Sequence, residues 1–345
     1  TAVRHRRGGL RQEEIITPHV GGYRAPLWLP GGHAQTIYAA VLMPRARVEY
    51  RRERWETPDG DFIDLDWAEP QDRGLRIEDR GTAPLVVLFH GLEGSSRSHY
   101  SVALMAALRG RGMRGVAIHF RGCSEEPNRL PRAYHSGDAP EIDWILRRLR
   151  ARNAGSPLLA VGVSLGGNAL LKWLGETGAT AGEVVDRAAA VSAPLDLMAA
   201  GDALGQGFNL LYARNFLATL RAKSLAKLER YPGLYDARAV RASRTLREFD
   251  DLVTAPLHGY RNTDDYWTRA SSKPGLGNIR VPTLIINARN DPFLPAPALP
   301  GTREVSSAVT LEQPDQGGHV GFVAGAFPGN FDWLPRRVLE FFGVR

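Results

Sequence analysis

The sequence predicts an α/β fold: a mostly parallel sheet with antiparallel strands at its N-terminal edge and helices on both faces. Three observations carry this. After Pro84, short apolar runs bounded by glycine or proline alternate with longer helical segments, the pattern of buried parallel strands joined by crossover helices. Before Pro84, two runs of alternating polarity flank Pro58-Asp59-Gly60, which reads as a hairpin. The chain has 345 residues, 43% of them hydrophobic and 23% charged, so it can bury a sizeable core without disulfides and is not disordered throughout.

Gly-Gly pairs at 8–9, 21–22 and 31–32, with Pro18, Pro26 and Pro30, predict an irregular arm over the first 35 residues, within an N-terminal segment 1–47. The hairpin follows over 48–69. Strands are expected at 85–89, 116–120, 158–163, 188–191 and 281–287, with a weaker one at 308–311. Helices are expected near 100–109, 139–152, 168–176 and 334–342. The second has a start signal: Asp138 can cap, Pro140 suits the first turn, and Glu141 completes a capping box. From about 195 to 275 no strand is apparent. Stretches 204–220, 224–230, 237–249 and 264–270 read as short helices, a candidate lid inserted into one domain spanning 48–345.

Charge and cysteine narrow the function classes. Lys and Arg total 44 against 37 acidic residues, a formal charge of +7, and only four of the basic residues are lysine. Genome composition explains an arginine bias without any ligand, whereas a basic chain also suits nucleic acid or an anionic surface. The excess lies in the first 57 residues and in 195–275, and the predicted sheet carries no basic motif. That argues against nucleic acid and leaves a weak peripheral association with anionic membranes as an expectation. The single cysteine, Cys123, excludes an intramolecular disulfide and suits a reducing cytoplasm. No apolar run reaches the roughly 18 residues of a membrane span, and the stretch 1–14 does not read as a secretory signal.

The chemistry centres on Gly162-Val163-Ser164-Leu165-Gly166, which ends one apolar run and opens a helix. G-x-S-x-G alone is a weak signal and also fits a glycine-rich turn with a capping serine. On a tight strand-to-helix turn it exposes Oγ, and the helix N-terminus stabilises negative charge beside it. A serine hydroxyl needs a base. Only His258 and His319 follow Ser164. His319 lies in a glycine-flanked loop between the last predicted strand and the last helix, whereas His258 lies inside the insertion. The imidazole needs a carboxylate. Asp291 follows the apolar run at 281–287, where such sheets bind ligands, although a turn aspartate before Pro292 is the plain alternative. Asp315 is too near His319 in sequence to be the better choice. Two backbone donors would hold the oxyanion: Leu165 N–H, and Leu92 N–H from the loop His90-Gly91-Leu92-Glu93-Gly94 after the first long strand. No metal-ligand spacing, phosphate loop or dinucleotide fingerprint is present, so no cofactor is expected. Cys123 reads as a small buried residue, and His33 and Gln35 as loop anchors that could approach the site.

These motifs resemble the YheT-type α/β-hydrolases, which are related to the eukaryotic abhydrolase-domain lipases. The resemblance runs from about Tyr23 to the C-terminus. It rests on Pro26-Leu27-Trp28 with His33-Ala34-Gln35-Thr36, His90 to Ser96, Arg121-Gly122-Cys123-Ser124 with Pro127-Asn128-Arg129, Tyr134 to Asp138, Ser164, Asn290-Asp291-Pro292-Phe293 and Gly317 to Phe322. The family more often carries glycine where this chain has Glu125. The resemblance implies a Ser164–Asp291–His319 triad that hydrolyses carboxylic esters, with a small-molecule ester as substrate. An acyltransferase using the same triad, and a non-catalytic binding protein on the same fold, are the rival readings. Oligomeric state is not legible.

Overall fold

The computed structural model describes residues 22–70 and 83–344. The expectations for Gly8-Gly9, Gly21, Pro18 and the basic stretch at 1–14 therefore lie outside the described residues. Eight strands form one sheet in the order β1-β2-β4-β3-β5-β6-β7-β8. They are β1 (Arg51–Glu56), β2 (Phe62–Ala68), β3 (Leu85–Phe89), β4 (Arg114–His119), β5 (Leu158–Val163), β6 (Arg187–Val191), β7 (Thr283–Ile286) and β8 (Val309–Glu312). The hairpin β1–β2 is antiparallel and joins the sheet through an antiparallel β2–β4 pair. Every pair from β4 to β8 is parallel.

Strand alternation builds a core on each face. In β3, Leu85, Val87 and Phe89 face one apolar cluster, and Val86 and Leu88 face the other. The first cluster is closed by α3 (Ala139–Arg152) and α4 (Leu165–Thr177), through residues such as Ile142, Leu146, Leu170 and Leu174. The second is closed by α2 (His99–Gly110) and α10 (Trp333–Phe341), through Leu104, Leu108, Val338 and Leu339. The sheet is thus covered on both sides, as continuous apolar strands require.

Three local expectations need correction. The arm is not irregular throughout: α1 (Gly32–Ile37) continues into a π-helical turn at Tyr38–Leu42. The flanking glycines and prolines hide it, and its stability comes from packing on distant loops. The capping box of α3 is half made. The Asp138 carboxylate accepts from Glu141 N, but the Glu141 carboxylate bonds Arg121 Nε at 2.6 Å instead.

The third correction concerns the segment between β6 and β7, where the described residues form no strand. Its helices differ from the expected ones: α5 (Leu197–Leu204), α6 (Leu210–Arg230), α7 (Ala237–Ala242), α8 (Leu246–Phe249) and α9 (Thr263–Ala270). The expected break near Ser224 is absent, because Ser224 is a buried interior residue of the 21-residue α6. The expected helix 237–249 is split where Ser243 turns extended and Thr245 caps a new start through Glu248 N.

Candidate active site

Ser164 sits between β5 and α4 with φ 53° and ψ −122°. A non-glycine residue there is strained by about 1–3 kcal/mol and persists only where its surroundings fix it. Here Ser164 N–H is held by Val191 O at 2.9 Å. The glycines are required by close approach. A Cβ at Gly166 would lie 2.4 Å from Phe89 O, and one at Gly162 would lie 2.5 Å from Gly166 O.

The structure brings Ser164, His319 and Asp291 together. Ser164 Oγ lies 3.0 Å from His319 Nε2, and His319 Nδ1 lies 2.9 Å from Asp291 Oδ2. The Asp291 side chain is fully buried, and its other oxygen accepts Phe293 N–H at 2.8 Å. The Phe293 ring stacks on the imidazole at 4.0 Å. Asp315 is remote from this chain of contacts; its carboxylate is 91% exposed and faces Arg289. His258 also points elsewhere, its ring nitrogens facing Thr254 O and Ala133 O.

The loop carrying His319 is anchored by side chains that no sequence motif assigns to it. His319 N–H donates to Thr36 Oγ1 at 2.8 Å, and Val320 N–H donates to Ser192 Oγ at 3.0 Å. Val320 has φ 54°, and its carbonyl accepts from His99 Nε2 at 2.8 Å. Burial pushes the His99 imidazole down to about 4, which keeps it neutral as that donor. Gln35 is buried and binds four groups: Leu29 O, Gln316 Oε1, Asn290 Nδ2 and Gly317 N. It therefore anchors the loops, as expected. His33 does not reach Ser164; it packs against Phe208 and Tyr212 of the helical segment.

The loop after β3 lies against the serine, since a Cβ on Gly91 would stand 3.0 Å from Ser164 Cβ. Its amides are sorted. Gly91 N–H donates to Tyr100 Oη at 2.9 Å and Glu93 N–H to Tyr134 Oη at 2.8 Å. Among the described residues, neither Leu92 N–H nor Leu165 N–H has an acceptor. His90 is buried and neutral, pushed down to about 3 by desolvation. Its Nδ1–H donates to Gly91 O and its Nε2 accepts from Phe120 N–H, which fixes the loop's base.

Above these groups lies a cavity of about 630 Å³. Ser164, Leu165, Leu92 and His319 line it from the sheet side, and Leu204, Phe216, Leu220, Phe249 and Val253 from the helical segment. Cys123 lies in its wall, and burial pushes that thiol up to about 12, so it is not a ready nucleophile. Glu125 has φ 75°, a conformation that glycine adopts without strain. The described residues hold no cluster of side chains able to bind a metal ion, and no helix long and apolar enough to cross a membrane.

Comparison with known proteins agrees with this fold. Residues 84–326 match the family model for the alpha/beta hydrolase fold. The "Putative esterase YheT" of Escherichia coli (strain K12) is 40% identical over 308 residues, covering 89% of this chain and 88% of that protein. "Phospholipase ABHD3" of Homo sapiens is 30% identical over 321 residues, covering 92% of this chain and 78% of that protein. Among solved structures, Est1E from Butyrivibrio proteoclasticus superposes with a TM-score of 0.53 at 13% identity, covering 84% of this chain and 97% of that one. A bacterial membrane phospholipase A gives 0.52 at 16% identity, covering 86% of each chain. The structural likenesses show the fold, and the sequence matches give the kinship: the chain belongs to the α/β-hydrolase family, in the branch that includes YheT.

Proposed function

We propose that this carboxylic ester hydrolase works through an acyl-enzyme on Ser164. The observation that supports it is the continuous hydrogen-bonded path from Ser164 Oγ through His319 to buried Asp291. In this reading His319 Nε2 takes the Ser164 proton as Oγ attacks the ester carbonyl, and returns it to the leaving alkoxide. Asp291 fixes the tautomer that leaves Nε2 free and stabilises the imidazolium. Leu92 and Leu165 N–H groups receive the oxyanion; one such donor is worth about 10²–10³ in kcat in serine hydrolases. Water, deprotonated by the same imidazole, then releases the acid. The segment 195–275 acts as a lid that closes the cavity over one domain.

The apolar cavity wall suits the acyl chain of a lipid-like ester. Burying one methylene is worth about 0.8 kcal/mol, roughly fourfold in kcat/KM per added carbon until the cavity is full. A p-nitrophenyl ester series from acetate to palmitate tests this, with Ser164→Ala as the control for catalysis. Leu220→Trp narrows the wall and is expected to move the optimum to shorter chains. An unchanged optimum would show that the acyl chain lies elsewhere. Running the reaction with an added acceptor alcohol separates hydrolysis from acyl transfer: free acid as the sole product supports hydrolysis.

Large apolar side chains are exposed on the arm and on the helical segment, which meet where His33 packs against Phe208. Phe208, Leu210 and Leu211 lie at or just before the start of α6, and Leu27, Val41 and Leu42 lie on the arm. With the basic excess of the same two regions, this surface suits weak docking on an anionic bilayer. Flotation with vesicles containing phosphatidylglycerol is expected to carry part of the protein upward, and less of a Leu210→Ser/Leu211→Ser variant. Protein left wholly in the load fraction would remove the membrane from the account.

A further inference from the structure

The turn that carries Leu92 is strained, and an ion pair ties it to α6. Gly94 N–H closes on Gly91 O at 2.9 Å, making Leu92 and Glu93 the corner residues of a β-turn. Glu93 has φ 55°. Glycine or asparagine normally fills that corner, because a side chain there is strained. A glutamate in its place supplies a carboxylate, and that carboxylate is fully engaged. The Glu93 side chain is 9% exposed; Tyr134 Oη donates to Oε1 at 2.8 Å, and Lys223 Nζ pairs with Oε2 at 2.8 Å. Tyr134 Oη also accepts Glu93 N–H, so acid and backbone are gripped by the same phenol. Tyr100 holds the preceding amide of Gly91. Lys223 comes from α6, in the segment between β6 and β7. Its ammonium is the one cation paired with Glu93 among the described residues.

We infer that Glu93 and Lys223 are positioning residues that aim Leu92 N–H over Ser164, so that the oxyanion site is complete only when α6 is seated. The inference rests on the reading of Leu92 as an oxyanion donor. It assigns the helical segment a part in the chemical step besides enclosing the acyl chain. A misaimed oxyanion donor costs transition-state stabilisation rather than ground-state binding, so the loss falls on kcat.

The test is steady-state hydrolysis of p-nitrophenyl butyrate by the full chain. Lys223→Met and Glu93→Gln are each expected to lower kcat by about 10–100-fold, part of the value of a whole donor, with KM within about twofold. The double variant should lose no more than the worse single one, because both break one link. Lys223→Arg keeps the ion pair and should restore most of kcat. Glu93→Gly relieves the strained corner but removes the tie, so it too should lose kcat; full activity there would mean that only the turn shape matters and would overturn the inference. Lys223→Met with wild-type kcat, or with a loss carried by KM alone, overturns it as well. Lys223→Met leaves the buried Glu93 carboxylate without its cation and should lower Tm. The double variant with Glu93→Gln leaves no unpaired charge, so a kcat loss that persists there at near wild-type Tm separates misaimed chemistry from unfolding. An inactive wild type, or a Ser164→Ala variant as active as wild type, would instead overturn the Ser164 reading itself.

Discussion

Ser164→Ala is expected to lower kcat for p-nitrophenyl butyrate by roughly 10⁵–10⁶-fold, leaving only what binding and the oxyanion donors supply. Among the described residues, the Ser164 side chain is the one nucleophile held within 3.0 Å of an imidazole that is itself paired with a buried acid. The other candidate in the cavity wall, Cys123, is held protonated by burial. KM should change little, because Oγ adds little to ground-state binding. Alanine fits wherever serine fits, although it inherits the strained φ of 53°. The fold should therefore survive, and an unchanged Tm beside the lost activity separates chemistry from unfolding. Stopped-flow release of p-nitrophenol measures both rates, and a loss smaller than about tenfold would place the nucleophile elsewhere.

Asp291→Asn is expected to cost about 10⁴-fold in kcat, the size seen when an amide replaces the acid of such a triad. The amide keeps the shape of the carboxylate but can donate to His319 Nδ1. That stabilises the tautomer with its proton on Nε2, facing Ser164, and leaves no base for Oγ. One Asp291 oxygen also accepts Phe293 N–H at 2.8 Å, so the amide oxygen should settle there and the amide nitrogen should face His319. Asp315→Asn changes an exposed group with no contact to His319 and is expected to leave kcat within about twofold. Equal losses in both variants would show that the assignment of the acid is wrong.

Much of this was legible in the chain because it is local. Apolar runs bounded by glycine or proline placed β3 and β5 at their observed bounds, and Asp138 with Pro140 placed the start of α3. The order of Ser164, Asp291 and His319 along alternating strands and helices told which side chains could meet. What was not legible depends on partners far away in sequence. The helix α1 is hidden by glycines, and it is held because Gln35 and Thr36 bond the loops at 290 and 317–319. The continuity of α6 through Ser224, and the reach of Lys223 to Glu93, follow from packing across the cavity and leave no periodicity to read. The stacking of Phe293 on His319 is of the same kind.

If turnover passes through a covalent acyl-enzyme on Ser164, an organophosphorus probe should be trapped on that serine. The protein is incubated with an alkyl fluorophosphonate, digested and mapped by mass spectrometry. The expected result is a single phosphonyl adduct on the peptide containing Ser164, absent from Ser164→Ala and slowed in Asp291→Asn. No adduct on the wild-type protein, or equal labelling of Ser164→Ala, would contradict it.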